Sequence, residues 1–238
     1  MGVFSLLHPK VRQGLEIQGI LVPTPPQEKA IPPILNRENV LLISPTASGK
    51  TEAALLPVLS KLAAEKKSEG LRLVYITPLR ALNRDMHRRF MYWADYLGLD
   101  VQIRHGDTSQ KMRRRQVSQP PDILITTPET LQAMLPSKMN QHLRNVSYVI
   151  VDEIHDLASS KRGTQLTIGL ERLGKLNETP PQRIGLSATV GNPEDVARFL
   201  GGSQPVTILE VEVDKRYLYS VEFPQPDDED FDAADDLN

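Results

Sequence analysis

Cysteine is absent from the 238-residue chain. Disulfides and thiolate metal sites are therefore excluded, and a reducing compartment is the natural setting. Aromatic residues are scarce, at 5%, with a single tryptophan, so a binding surface built from stacked rings has little to draw on. No run of 18 apolar residues occurs, and Met1–Lys10 lacks a basic stretch leading into a long apolar one. Neither a secretory leader nor a transmembrane helix is expected, and the expectation is a cytoplasmic protein with no membrane partner. Hydrophobic residues at 39% and charged residues at 24% are ordinary for a globular chain of this length.

The net charge of −2 hides an asymmetry. Residues 227–238 carry seven acids and no base, and without them 28 bases face 23 acids. The body is mildly basic. The acidic end reads as a solvated, disordered linker, because so few apolar side chains cannot offset the entropy of ordering.

Along the body, short apolar runs alternate with helical patterns. Val40–Ser44, Arg72–Thr77, Asp100–Arg104, Asp122–Thr126, Ser147–Val151, Arg183–Ser187 and Pro205–Val211 read as strands. Thr51–Lys66, Leu79–Leu97, Ser109–Ser118, Pro128–Leu135, Thr164–Leu176 and Pro193–Leu200 read as helices, the first with a kink expected at Pro57. Continuous apolar strands separated by helices predict an α/β fold with a mainly parallel sheet covered on both faces. Upstream, a helix starting at Pro25 and Pro26 is expected to be interrupted by Pro32 and Pro33.

Three motifs sit at the ends of apolar runs. Val40-Leu-Leu-Ile-Ser-Pro-Thr-Ala-Ser-Gly-Lys-Thr51 places a tight loop between a strand and a helix start. Such a loop aims backbone N–H groups at an anion. Thr46, Ala47, Ser48 and Gly49 would form the cradle, Lys50 would reach the β- and γ-phosphates, and the Thr51 hydroxyl would meet Mg2+. Ser44 stands where the strict P-loop pattern has glycine, and Ala47 departs from the usual small glycine as well. Tyr148-Val-Ile-Val-Asp-Glu-Ile-His155 ends a second apolar run with two carboxylates. At the carboxyl end of a strand Asp152 can hold Mg2+ and Glu153 can orient an attacking water. Leu186-Ser-Ala-Thr189 follows a third run, and His155 is read as a polar link between the nucleotide and Ser187 and Thr189.

In this order and spacing, the three motifs resemble motifs I, II and III of superfamily 2 helicases. Thr24-Pro-Pro-Gln27 is similar to the upstream glutamine motif, and the resemblance implies that Gln27 reads adenine. Thr77-Pro-Leu-Arg-Ala-Leu82, Arg104-His-Gly-Asp-Thr108 and Asp122-Ile-Leu-Ile-Thr-Thr-Pro-Glu-Thr-Leu131 resemble the nucleic-acid-binding blocks. They nominate Pro78, Arg80, Gly106, Thr127, Pro128 and Glu129 as strand contacts. Val151–Gly163 and Arg183–Asn192 are similar to the large-helicase-related (Lhr-type) branch.

The resemblance implies a RecA-like P-loop NTPase domain that uses ATP and Mg2+ and works on single-stranded or partly duplex DNA or RNA. It implies a division into a helical segment at 1–38, a first RecA-like domain at 39–223 and an acidic linker at 224–238. A second RecA-like domain of the same parent chain, carrying arginine fingers, is expected as partner, because no such sequence follows the Ser-Ala-Thr block. Two other readings fit the motor motifs: a translocase that never separates strands, and a nucleotide-binding interaction module without turnover.

Further bases cluster in the middle of the chain, at Arg72, Arg84, Arg88, Arg89, Arg104, Lys111 and Arg113–Arg115. Three bases on one helix are read as a solvated face. Trp93 and Tyr92 are read as core residues rather than base-stacking platforms.

Overall fold

The computed structural model describes residues 2–65, 70–78, 84–158, 160–188 and 190–212. After a short 3-10 turn at Val3–Leu6 come α1 (Pro9–Ile17), α2 (Pro25–Leu35), β1 (Val40–Ile43), α3 (Lys50–Ala64), β2 (Leu73–Ile76), α4 (Arg84–Leu97) and β3 (Val101–Arg104). They are followed by α5 (Gln110–Ser118), β4 (Ile123–Thr126), α6 (Pro128–Met134), α7 (Asn140–Leu143), β5 (Tyr148–Val151) and α8 (Ile154–Ala158). The series closes with α9 (Lys161–Leu176), β6 (Gln182–Ser187), α10 (Pro193–Gly201) and β7 (Thr207–Glu210). All seven strands read from the sequence are present. The expectations for Arg80, Thr189 and the acidic linker at 224–238 lie outside the described residues.

The strands form one sheet in the order β3-β4-β2-β5-β6-β1-β7. Every pairing is parallel. The side-chain alternation of a strand divides the core in two. Val40, Leu42, Leu73, Tyr75, Ile123, Ile125, Tyr148 and Ile150 face one side, where helices α1 to α4 cover them. Leu41, Ile43, Val74, Ile76, Leu124, Val149 and Val151 face the other, under α6 to α10. This two-sided burial explains why the strands read as unbroken apolar runs. Trp93 is buried in the first core, and Tyr92 donates its hydroxyl to the Gly14 carbonyl at 2.9 Å.

Two local expectations change. Helix α2 runs continuously through Pro32 and Pro33. Each proline removes one donor, but the carbonyls left without it belong to Glu28 and Lys29, both exposed, so water can satisfy them. Helix α3 likewise continues through Pro57. Arg72, one of the bases clustered in the middle of the chain, is buried and donates to Asp122 at 2.7 Å.

The order of the sheet positions the site. The loops leaving the carboxyl ends of β5, β6 and β1 are neighbours, and these are the loops that carry the three motifs. The loops leaving β4 and β3 lie toward the opposite edge and carry the blocks nominated for nucleic acid. Where the strand order reverses, loops diverge and leave a crevice for a ligand.

Candidate functional site

The loop after β1 turns sharply into α3. Ala47 and Gly49 both adopt left-handed backbone, at φ 54 and 85. Glycine tolerates this freely, whereas alanine is strained there by about 1–2 kcal/mol. That is the physical meaning of the departure at Ala47. At Gly49 the lack of a side chain also allows close approach, because a Cβ there would stand 2.9 Å from Thr24 Oγ1 and 3.1 Å from Gln27 Nε2. The start of α2 is thus pressed against the loop. Gln27 is buried, and its Oε1 accepts from the Thr24 amide at 3.0 Å. Ser44, in the place of the usual glycine, donates its hydroxyl to Ser48 Oγ at 2.7 Å and ties the two ends of the loop together. Thr46 and Ala47 lie exposed at its tip, and Thr51 is half-buried in the first turn of α3.

Lys50 is buried, and its ammonium lies 3.2 Å from Glu153 Oε1. Glu153 itself has left-handed backbone at φ 48, a strained conformation of the kind that concentrates at functional positions. Its second oxygen lies 3.5 Å from His155 Nδ1. That same nitrogen accepts from the Ala188 amide at 3.3 Å. The polar link from the Asp-Glu-Ile-His loop thus reaches the Ser-Ala-Thr loop through a backbone amide. Ser187 has a different place: its carbonyl accepts from the Ser44 amide at 3.1 Å, and its buried hydroxyl has no partner among the described residues.

Asp152 is buried beside Lys50 and Glu153, with Oδ1 accepting from the Glu153 amide at 3.0 Å. Burial pushes its carboxyl above the usual carboxylate range, opposed by a hydrogen bond from Tyr75. That bond, Tyr75 hydroxyl to Asp152 Oδ2 at 2.6 Å, joins β2 to β5. Nothing in the sequence motifs marks Tyr75.

The far half of the strand edge is built differently. Pro78 and Pro128 are buried, while Gly106 and Glu129 are exposed. The Thr127 hydroxyl caps α6 by accepting from the Thr130 amide at 3.4 Å, and Glu129 is ion-paired with Arg162. A cavity of about 720 Å³ lies between α5 and α6, lined by Arg104, Gly106, Arg113, Arg114, Glu129 and Lys138 among others. Arg113 donates to the carbonyls of Thr108 at 2.8 Å and Gly106 at 2.7 Å, so it braces the His105–Thr108 turn. It is therefore structural rather than part of a merely solvated face.

Arg104 is 7% exposed, and its Nε and Nη1 have no hydrogen-bond partner among the described residues. Burial and the neighbouring Arg113 cation both lower its pKa from the ordinary guanidinium value. The strand pattern gives Arg104 a position but no signal that its charge would be left unpaired.

A parallel sheet with a phosphate-type loop after one strand and a carboxylate pair after a near neighbour defines a RecA-like P-loop nucleotide-binding domain. The DEAD/DEAH box helicase family matches the chain over residues 24–196. The chain belongs to that family.

Among its relatives, the Lhr helicase/probable uracil glycosylase of Mycolicibacterium smegmatis is 45% identical over 219 residues, covering 86% of this chain and 14% of that protein. The ATP-dependent helicase Lhr-Core of Sulfolobus acidocaldarius is 41% identical over 224 residues, covering 87% of this chain and 25% of the relative. The solved structure of Mycobacterium smegmatis helicase Lhr bound to ssDNA and AMP-PNP superposes with a TM-score of 0.83 at 39% identity, over 90% of this chain and 29% of that one. The chain thus spans a quarter or less of the length of these curated relatives. Among the described residues, no helix is long and apolar enough to cross a membrane.

Proposed function

We propose that this domain binds Mg2+–ATP and, together with a second RecA-like domain of its parent chain, hydrolyses it to move along a single strand of DNA or RNA in the cytoplasm. The observation that carries the proposal is the meeting of Lys50 and Glu153 at 3.2 Å from loops on β1 and β5. A P-loop lysine and a water-orienting carboxylate have to share one site for phosphoryl transfer.

The residues fit the metal as well. Thr51 and Asp152 are oxygen donors of the kind Mg2+ prefers, and together they would hold it. The ion would neutralise charge building on the phosphates. Lys50 would leave Glu153 for the phosphates, freeing that carboxylate to hold a water in line and accept its proton. Gln27, already against the loop at Gly49, would meet the adenine edge. His155 would carry the nucleotide's state to the loop after β6 through the Ala188 amide, with Ser187 and Thr189 on that loop. Along the other half of the edge Pro78, Arg80, Gly106, Thr127, Pro128 and Glu129 would line the strand's path, Glu129 through its position beside the Thr127 cap rather than through its carboxylate, which is paired with Arg162. Arg104 and Lys138 would supply phosphate partners from the cavity. Contacts of this kind hold phosphate without reading base identity.

Glu153→Gln in the parent chain tests the assignment. Phosphate release should fall at least about a hundredfold, in line with loss of a general base. Nucleotide affinity should hold or rise by roughly threefold, since Lys50 loses a half-screened competitor. Hydrolysis at the wild-type rate would refute the role given to Glu153.

A further inference from the structure

The Tyr75 hydroxyl lies at the centre of the site, yet no sequence motif contains it. Its position follows from the sheet. In the β2–β5 register Tyr75 is paired with Ile150. Asp152 is two residues beyond Ile150, so alternation turns it to the same face as Tyr75. Phe90 of α4 packs its ring edge-on against Tyr75, with centroids 5.0 Å apart and planes at 77°. The phenol ring is completely buried and held on two sides, and its hydroxyl is delivered to Asp152 Oδ2 at 2.6 Å. The other carboxylate oxygen is taken by the Glu153 amide at 3.0 Å. Asp152 therefore has one donor fixed on each oxygen, and its plane and remaining lone pairs are set before any metal arrives.

We propose that Tyr75 is a positioning residue for magnesium: its hydroxyl orients the Asp152 carboxylate so that a free lone pair faces the metal bound with the nucleotide. This rests on the reading of Asp152 as a magnesium ligand. Tyr75 never touches the ion. It acts as hydrogen-bond partners of metal-ligating carboxylates generally do, fixing the ligand's orientation.

The test is a titration of the wild-type chain and Tyr75→Phe with a fluorescent ATP analogue, in excess EDTA and in saturating MgCl2. Phenylalanine keeps the ring and its packing against Phe90 and removes only the donor. The quantity read is the ratio of the two dissociation constants, the tightening due to magnesium. In wild type magnesium should tighten binding. In Tyr75→Phe the EDTA value should be unchanged while the tightening shrinks roughly tenfold. Asp152→Asn should remove the tightening, and adding Tyr75→Phe to it should change nothing more, because the two side chains act through one carboxylate.

A Tyr75→Phe ratio equal to wild type overturns the inference while leaving the magnesium site standing. A loss of affinity already present in EDTA also overturns it, by showing that Tyr75 supports the pocket generally. A wild-type chain indifferent to magnesium removes the underlying reading of Asp152 and the inference with it.

Discussion

The two halves of the sheet's carboxyl edge treat their charges in opposite ways. At the loops after β5, β6 and β1 the titratable side chains are paired, Lys50 with Glu153, Tyr75 with Asp152 and His155 with the Ala188 amide, while the buried Ser187 hydroxyl has no partner among the described residues. At the cavity between α5 and α6, Arg104 is buried with two guanidinium nitrogens unpaired among the described residues. Glu129, the acid that shares its cavity, is committed to Arg162 instead. The first half can be stable without a ligand and must exchange partners to bind one. The second holds a partly desolvated cation at a cavity wall, where an incoming anion would give it a partner. Left-handed backbone at Ala47 and Glu153 thus marks one side, and a partly desolvated guanidinium marks the other.

Substitutions can break this comparison. The largest effect is expected at Arg104. Arg104→Met keeps bulk and removes the charge. Affinity for single-stranded DNA at low salt should fall roughly tenfold, as for loss of one charge-assisted contact. The slope of log affinity against log salt should become shallower by about 0.7. The melting temperature should hold or rise, because the free domain loses a buried unpaired cation. Weakened folding with unchanged strand binding would make Arg104 an ordinary core residue.

A smaller effect concerns pH on the paired side. Burial raises the carboxyl pKa of Asp152, so it takes up a proton at a higher pH than an exposed aspartate would. A metal requires the deprotonated form. Magnesium-dependent tightening of the ATP analogue should therefore weaken as pH is lowered, and weaken more than the affinity of magnesium for free ATP does. Parallel pH profiles for protein and free nucleotide would take Asp152 out of the metal site.

The smallest effect is at the loop tip. Ala47→Gly relieves a left-handed alanine but adds freedom to the unfolded chain, so the net stabilisation should be only about 0.5 kcal/mol. That corresponds to a rise of roughly 1–2 °C in a melting curve. A fall of several degrees would mean that the methyl group contributes packing that outweighs the strain.

The sequence showed the sheet clearly because each strand is buried on both faces and shows as a short apolar run between helices. It was less clear where side chains from distant strands meet. Nothing at Arg72 announced its partner Asp122, which the β2–β4 pairing brings beside it. Tyr75 looked like one more apolar strand residue, since its partner lies 77 positions away on β5. Helix α8 was missed because its five residues follow the strand directly and overlap the Asp-Glu-Ile-His motif, leaving no room for helical periodicity. That Lys50, Glu153 and His155 would lie together was legible, because their motifs close strands at the carboxyl edge of one parallel sheet. That the histidine would accept from the Ala188 amide was not, because a backbone amide has no letter in the sequence.

The central claim is that the loop between β1 and α3 holds the phosphates of Mg2+–ATP through Lys50. Titration of wild type and Lys50→Ala with a fluorescent ATP analogue in saturating magnesium tests it most directly. The account predicts that wild type binds and that Lys50→Ala loses at least about tenfold in affinity, the least expected for a charge-assisted phosphate contact. Equal affinity in the two proteins, with both folded, would contradict it.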